Sequence, residues 1–297
     1  GVTRLKIGDH VICSVIPVCG TCRFCAKGRT NLCDLGATIL DGELPSGGYR
    51  WHQDGEDFGG MDMLGTFSEY AVLSEFSCVK IDEDLPLDVM CLIGCGVPTG
   101  WGTAVRAGEV APGETVVVYG IGGIGINAVQ GAAFAGALNV VAVDPLANKR
   151  EIAEKLGATH AVATAEEAHE LVQQLTRGVG ADKALLTVGV MTEEVVQAGF
   201  DAIAKGGTVV VTGLAAPDQK TIHIPGAELT LFQKRIQGNL IGATNPFDDI
   251  PRLTELYRCG ALKLDELITR RYSLDDVGQG YRDLLGGEIV RGVIMYE

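Results

Sequence analysis

The feature that most constrains this chain is an uncharged stretch, Thr115 to Val143, broken by a glycine turn. Glu114 to Tyr119 is a β-branched run ending in Gly120-Ile121-Gly122-Gly123-Ile124-Gly125, after which Ala128, Val129, Ala132, Ala133 and Ala135 give a small-residue helix. This is G-x-G-x-x-G between a strand and a helix. The glycines allow a tight turn, approach of the backbone to a pyrophosphate and close helix-strand packing, while the helix N-terminus supplies amide donors and a positive dipole. A second strand, Asn139 to Val143, ends in Asp144, about 20 residues past the turn. An acidic residue there accepts hydrogen bonds from ribose hydroxyls and repels a 2′-phosphate, which favours NAD over NADP. Lys149, one helical turn further, can reach the same ribose.

An uncharged stretch of this length must also be tested as a membrane span. Its glycines, with Asn127, Gln130 and Asn139, interrupt it, and it divides into strand, turn, helix and strand, so no membrane is expected. Alternation then continues: helix 149–155, strand 160–163, helix 165–176, strand 183–188, helix 192–203 and strand 208–212, the pattern of a doubly wound parallel sheet. A net charge of −14 sets a repulsive field against nucleic acid and anionic lipid. The opening residues, GVTRLKIGDH, contain no apolar signal segment. A cytoplasmic location is expected.

Among nine cysteines, Cys19, Cys22, Cys25 and Cys33 stand as C-x2-C-x2-C-x7-C. Four thiolates so close in sequence can surround one Zn2+ tetrahedrally, and the odd cysteine count argues against a disulfide framework. With all four positions filled by protein, that metal braces a loop and does no chemistry. Cys13, Cys78, Cys91 and Cys259 read as buried small hydrophobes. Cys95, flanked by Gly94 and Gly96, is sterically open and remains a candidate ligand or nucleophile.

With these motifs together, the chain resembles the zinc-dependent medium-chain alcohol dehydrogenases from end to end. Within them, GCGVPTGWG and GINAVQGA resemble most the actinobacterial branch in which the nicotinamide cofactor is held tightly and an artificial acceptor re-oxidises it in place. The resemblance implies a Rossmann domain at about 98–243 and a GroES-like, β-rich catalytic domain built from 1–97, with the zinc lobe at 19–33, and the return 244–297. It places the active site in the cleft between them. It also implies that Cys95 is the last ligand of a catalytic zinc and that Thr99 approaches the nicotinamide ribose. Thr187, Leu214 and Ile241 would then contact the cofactor, the last two through backbone at the carboxamide, and Arg291 would meet the pyrophosphate. Val15, Met63 and Leu64 match positions lining an apolar pocket. Ala37 stands where the glutathione-dependent formaldehyde branch carries an arginine, so an apolar primary alcohol or aldehyde is the expected substrate.

The resemblance leaves the catalytic domain incomplete. The other two catalytic-zinc ligands, a cysteine and the histidine of a Gly-His-Glu motif, would lie before Gly1, and the opening residues read as the middle of a domain. A fragment accounts for this start better than a shortened paralogue does. The 297 residues alone are expected to lack alcohol oxidation, and the competing reading is a non-catalytic NAD-binding protein with structural zinc only. A homodimer or homotetramer is expected, through the edge strand near 231–240 and through the zinc lobe.

Overall fold

The computed structural model describes residues 1–296, which fall into two units: Gly1–Cys95 with the chain from Thr244 onward, and Gly96–Ala243. The first unit carries β1 (Val11–Cys13), β2 (Trp51–Gln53), β3 (Glu56–Phe58), β4 (Cys78–Lys80) and the short helix α1 (Leu87–Met90). Strand β1 pairs antiparallel with β4, and β2 with β3 as an exposed hairpin within the glycine-rich 36–61 segment. Ile12, Ile16, Val79, Met90 and Ile93 are among the buried apolar side chains around β1 and β4.

The second unit begins with α2 (Gly96–Gly102), whose last turn widens to π-type hydrogen bonding over Thr103–Ala107. Then β5 (Thr115–Tyr119), α3 (Gly125–Phe134), β6 (Asn139–Val143), α4 (Ala147–Lys155), β7 (His160–Val162), α5 (Ala165–Leu175), β8 (Ala181–Leu186), α6 (Glu193–Ala202), β9 (Ile203–Val211), α7 (Gly226–Leu231) and β10 (Arg235–Gly238) follow. The strands form one parallel sheet in the order β10-β9-β8-β5-β6-β7. Val116, Val117, Val118, Val141, Ala142, Leu185, Leu186, Val209 and Val210 have no exposed surface. A sheet so buried on both faces needs unbroken apolar strands, which is why β5 and β6 read as runs and do not alternate.

The largest departure from the sequence reading is at the start of β9, while β8 runs over Ala181–Leu186 and not 183–188. Helix α6 stops at Ala202, and β9 begins at Ile203, earlier than the expected 208. Gly180 and Gly206 adopt positive φ (102° and 75°), and the β8/β9 register slips between Ala181 and Lys183, so the extra pairing depends on a bulge.

The chain returns to the first unit through α8 (Pro246–Arg258), β11 (Ile268–Tyr272), α9 (Val277–Leu285) and β12 (Arg291–Ile294), with β11 and β12 parallel. Here Asp283, almost fully buried, accepts hydrogen bonds from the Tyr272 hydroxyl (2.6 Å) and Gln279 (2.6 Å) and pairs with Arg270. No helix of the described residues is long and apolar enough to cross a membrane.

Candidate active site and metal centre

The glycine turn lies where strand order reverses, because β5 has β6 on one side and β8 on the other. In open parallel sheets the crevice beyond the carboxyl ends at this point takes the ligand. Gly120 has φ +85°, and a Cβ there would meet Val188 Cα at 2.8 Å. A Cβ on Gly125 would lie 1.9 Å from the Gly120 carbonyl oxygen, so the helix start sits directly on the turn. Gly122, by contrast, is exposed with nothing within 4 Å of a Cβ, and that is the open space a pyrophosphate requires. The residues present therefore fit a dinucleotide.

Several groups hold this cradle. The buried Thr187 hydroxyl donates to the carbonyls of Tyr119 (3.0 Å) and Gly120 (2.8 Å), so it braces the turn from β8. Asp144, at the end of β6, accepts the Ile121 amide at 2.8 Å and the Leu146 amide at 2.9 Å. A carboxylate has about four acceptor sites, which leaves capacity for ribose hydroxyls. The Gly123 carbonyl accepts from Asn127 (2.9 Å), and the Ile124 carbonyl accepts the Ala128 amide (3.0 Å) at the start of α3. Lys149 is buried in the first turn of α4.

Helix α2 is clamped into the same unit through two glycines. A Cβ on Gly100 would lie 2.0 Å from the Ile124 carbonyl, and one on Gly242 would lie 2.2 Å from that of Pro98 and 2.9 Å from that of Thr99. Thr99, Ile124 and Ile241 are thus brought together around one helix. Ile241, Gly242 and Ala243 have φ of +51°, +67° and +53°. A left-handed conformation is costly for a β-branched residue and persists only where its surroundings impose it. Leu214 is exposed, with its carbonyl taken by the Met191 amide at 2.9 Å.

In the first unit the four sulfurs of Cys19, Cys22, Cys25 and Cys33 lie within 4.8 Å of one another, with Cys19–Cys25 at 3.9 Å and Cys22–Cys33 at 4.0 Å. Zn-S bonds of about 2.3 Å set tetrahedral edges of roughly 3.8 Å, so the cluster fits zinc. The amide and hydroxyl of Thr21 pull Cys19 down to about 6, whereas burial pushes Cys25 up to about 12 and Cys33 upward. A divalent cation at their centre would favour the thiolate form of all four.

Cys95 is half-buried at the end of the turn following α1, and Gly94 before it packs backbone to backbone on β1: a Cβ would lie 2.6 Å from the Cys13 carbonyl. Burial lowers the pKa of Arg291, at the start of β12, while Cys95 and Cys91 oppose that shift electrostatically. Among the described residues, the four-cysteine cluster is the only group of three or more His, Cys, Asp or Glu side chains arranged to hold a metal. Cys95 has no such set around it, and the residues described do not fit a catalytic zinc.

Val15, Met63 and Leu64 are all buried. Arg50, which carried no motif, donates to the Met63 carbonyl at 2.6 Å, and its Nε and Nη1 are buried without a protein partner. Cys91 and Cys259, expected inside, are exposed; their thiols donate to the carbonyls of Asp88 (3.3 Å) and Leu256 (3.4 Å).

Comparison with known proteins is consistent with both units. The zinc-binding dehydrogenase family matches residues 123–258, and the alcohol dehydrogenase GroES-like domain matches residues 1–83. The NDMA-dependent alcohol dehydrogenase of Amycolatopsis methanolica is 60% identical over 296 residues, covering 100% of this chain and 80% of that protein. A putative alcohol dehydrogenase D of Mycobacterium tuberculosis is 58% identical with the same coverage. Among solved structures, benzyl alcohol dehydrogenase from Acinetobacter calcoaceticus aligns with a TM-score of 0.88 at 29% identity, over 100% of this chain and 80% of that one.

Proposed function

Since the chain belongs to the zinc-dependent medium-chain alcohol dehydrogenases, we propose that it serves the interconversion of a small apolar primary alcohol and its aldehyde, with NAD as hydride carrier. The observation that carries this reading is the glycine cradle, with Gly120 and Gly125 packed against backbone, Gly122 open and Asp144 at the end of β6. In it the amides of the turn and the N-terminus of α3 hold the pyrophosphate, Asp144 and Lys149 hold the adenosine ribose, and Thr187 keeps the turn closed. Thr99 and the backbone of Leu214 and Ile241 orient the nicotinamide. Val15, Met63 and Leu64 supply an apolar wall that favours an alkyl or aryl substituent over a charged one. NAD supplies a hydride acceptor when bound. The 60% identity to an NDMA-dependent enzyme supports NDMA as an acceptor that regenerates the cofactor.

The four-cysteine zinc braces the 19–33 loop. Cys95 is assigned to a catalytic zinc through family membership alone. The test is calorimetric titration of the zinc-loaded 297-residue chain with NAD and NADP, followed by absorbance of NADH after addition of benzyl alcohol. The expected result is NAD binding tighter than NADP, without turnover. Failure to bind NAD would refute the cofactor assignment, and turnover would show that these residues complete a catalytic site by themselves.

A further inference from the structure

We propose that Cys13 and Cys78 form a reversible disulfide across β1 and β4, made by exchange with a low-molecular-weight disulfide. This site is independent of the dehydrogenase reading, which uses neither thiol. The two residues stand opposite each other in the antiparallel register. Ser14 donates its amide to Ser77 (2.7 Å) and Ile81 to His10 (3.0 Å), so 14/77 and 10/81 are the hydrogen-bonded positions. Alternation makes 13/78 a non-hydrogen-bonded pair. At such pairs the side chains come closest, with Cα atoms about 4.5 Å apart, inside the roughly 4.4–6.8 Å range of disulfides.

The two thiols shift each other in opposite directions, Cys13 upward and Cys78 down to about 7, with the Arg4 charge acting in the same direction on Cys78, and the Cys78 thiol donates to the Ser74 carbonyl at 3.5 Å. Neither belongs to the four-sulfur cluster, so metal binding does not explain the pairing. Cys13 is half-buried and Cys78 buried, which confines the reaction to a small reagent.

The exchange balances in two steps. The Cys78 thiolate attacks one sulfur of the reagent RSSR; a Cys78–SR bond forms, the reagent's S–S bond breaks, and RS⁻ leaves and takes up the proton lost from Cys78. The Cys13 sulfur then attacks Cys78 Sγ; the protein S–S bond forms, the second RS⁻ leaves, and it takes up the Cys13 proton. The two protein thiols are oxidised by two electrons and RSSR is reduced to two RSH.

The experiment treats the zinc-loaded full chain with oxidised glutathione, quenches in acid, alkylates the remaining thiols and maps peptides without reduction. The expected result is a Cys13–Cys78 linked peptide that disappears on adding dithiothreitol and is unchanged in yield in a Cys91→Ser/Cys259→Ser variant. In Cys13→Ser, a glutathione adduct should accumulate on Cys78 because the second thiol is missing. Recovery of Cys13 and Cys78 both alkylated, while the exposed Cys91 and Cys259 carry glutathione, would overturn the proposal, as would linkage of Cys78 to any other cysteine. The wild-type peptide decides the matter even if a variant fails to fold.

Discussion

Replacing Gly125 by alanine puts the cradle to its sharpest test. The added Cβ would lie 1.9 Å from the Gly120 carbonyl oxygen and 2.7 Å from Thr187 Oγ1, against a floor of about 3.0 Å for real contacts. Backbone must therefore move by about 1 Å. Overpacking of this kind costs about 1–3 kcal/mol, and opening the turn weakens the Thr187 hydrogen bond to Gly120, worth about 1 kcal/mol. The gain in helix propensity returns about 1 kcal/mol. The net expectation is a loss of about 1–3 kcal/mol, read as a lower urea midpoint at unchanged m-value. Affinity for NAD should fall as well, since one misaligned amide-to-phosphate bond is worth about 1.5–3 kcal/mol, or about 10–100-fold in Kd. Gly122→Ala is the control: it meets nothing within 4 Å, so stability should hold within about 0.5 kcal/mol while NAD binding weakens. If Gly125→Ala keeps both its midpoint and its NAD affinity, or if Gly122→Ala destabilises equally, close contact at Gly125 does not hold the cradle.

Asp144→Ala should weaken NAD binding and raise the NADP-to-NAD affinity ratio about tenfold, measured by calorimetry; an unchanged ratio would remove Asp144 from the ribose site. Cys22→Ser should lower zinc from about one per chain to near zero by elemental analysis and open the 20–32 loop to protease, whereas retained zinc would mean that three cysteines suffice. Hydrogen bonds from Tyr272 and Gln279, with the Arg270 charge, hold the Asp283 carboxyl below the usual carboxylate range. Its stabilisation is therefore complete above about pH 4 and lost as pH falls through the folded-state value. The gap in urea midpoint between wild type and Asp283→Asn should stay constant from neutral pH to about 5 and shrink below about 4; a gap that widens on acidification would contradict the sign.

The features legible in the sequence were those whose cause is local. Three glycines of the 120–125 turn answer needs set within a few residues: a positive φ at Gly120, contact at Gly125, open space at Gly122. Apolar runs marked β5 and β6 because a parallel sheet buries both faces. The four zinc-lobe thiols are close in space because they are close along the chain. The pairing of Cys13 with Cys78 is not legible in the sequence for the opposite reason: it is a matter of register between strands 65 residues apart, and each taken alone looks like a small hydrophobe. Cys91 and Cys259 look the same in sequence yet are exposed, since burial is decided by what packs against a turn or a helix end.

The loop at Ile241-Gly242-Ala243 shows most directly where local reasoning stops. In sequence it is a small apolar run, and nothing in it calls for left-handed backbone at an isoleucine. The conformation follows from helix α2, whose Pro98 and Thr99 carbonyls leave no room for a Cβ at residue 242, while Gly100 of the same helix lies against the Ile124 carbonyl. Residues more than 100 positions apart thus fix one another's backbone, and strain that a free loop would shed is retained because its neighbours leave no alternative. Gly242→Ala should accordingly disturb α2 as well as its own loop, so NAD affinity should fall even though residue 242 belongs to no nucleotide-binding motif. An unchanged NAD affinity in a folded Gly242→Ala chain would mean that this clamp serves the fold alone.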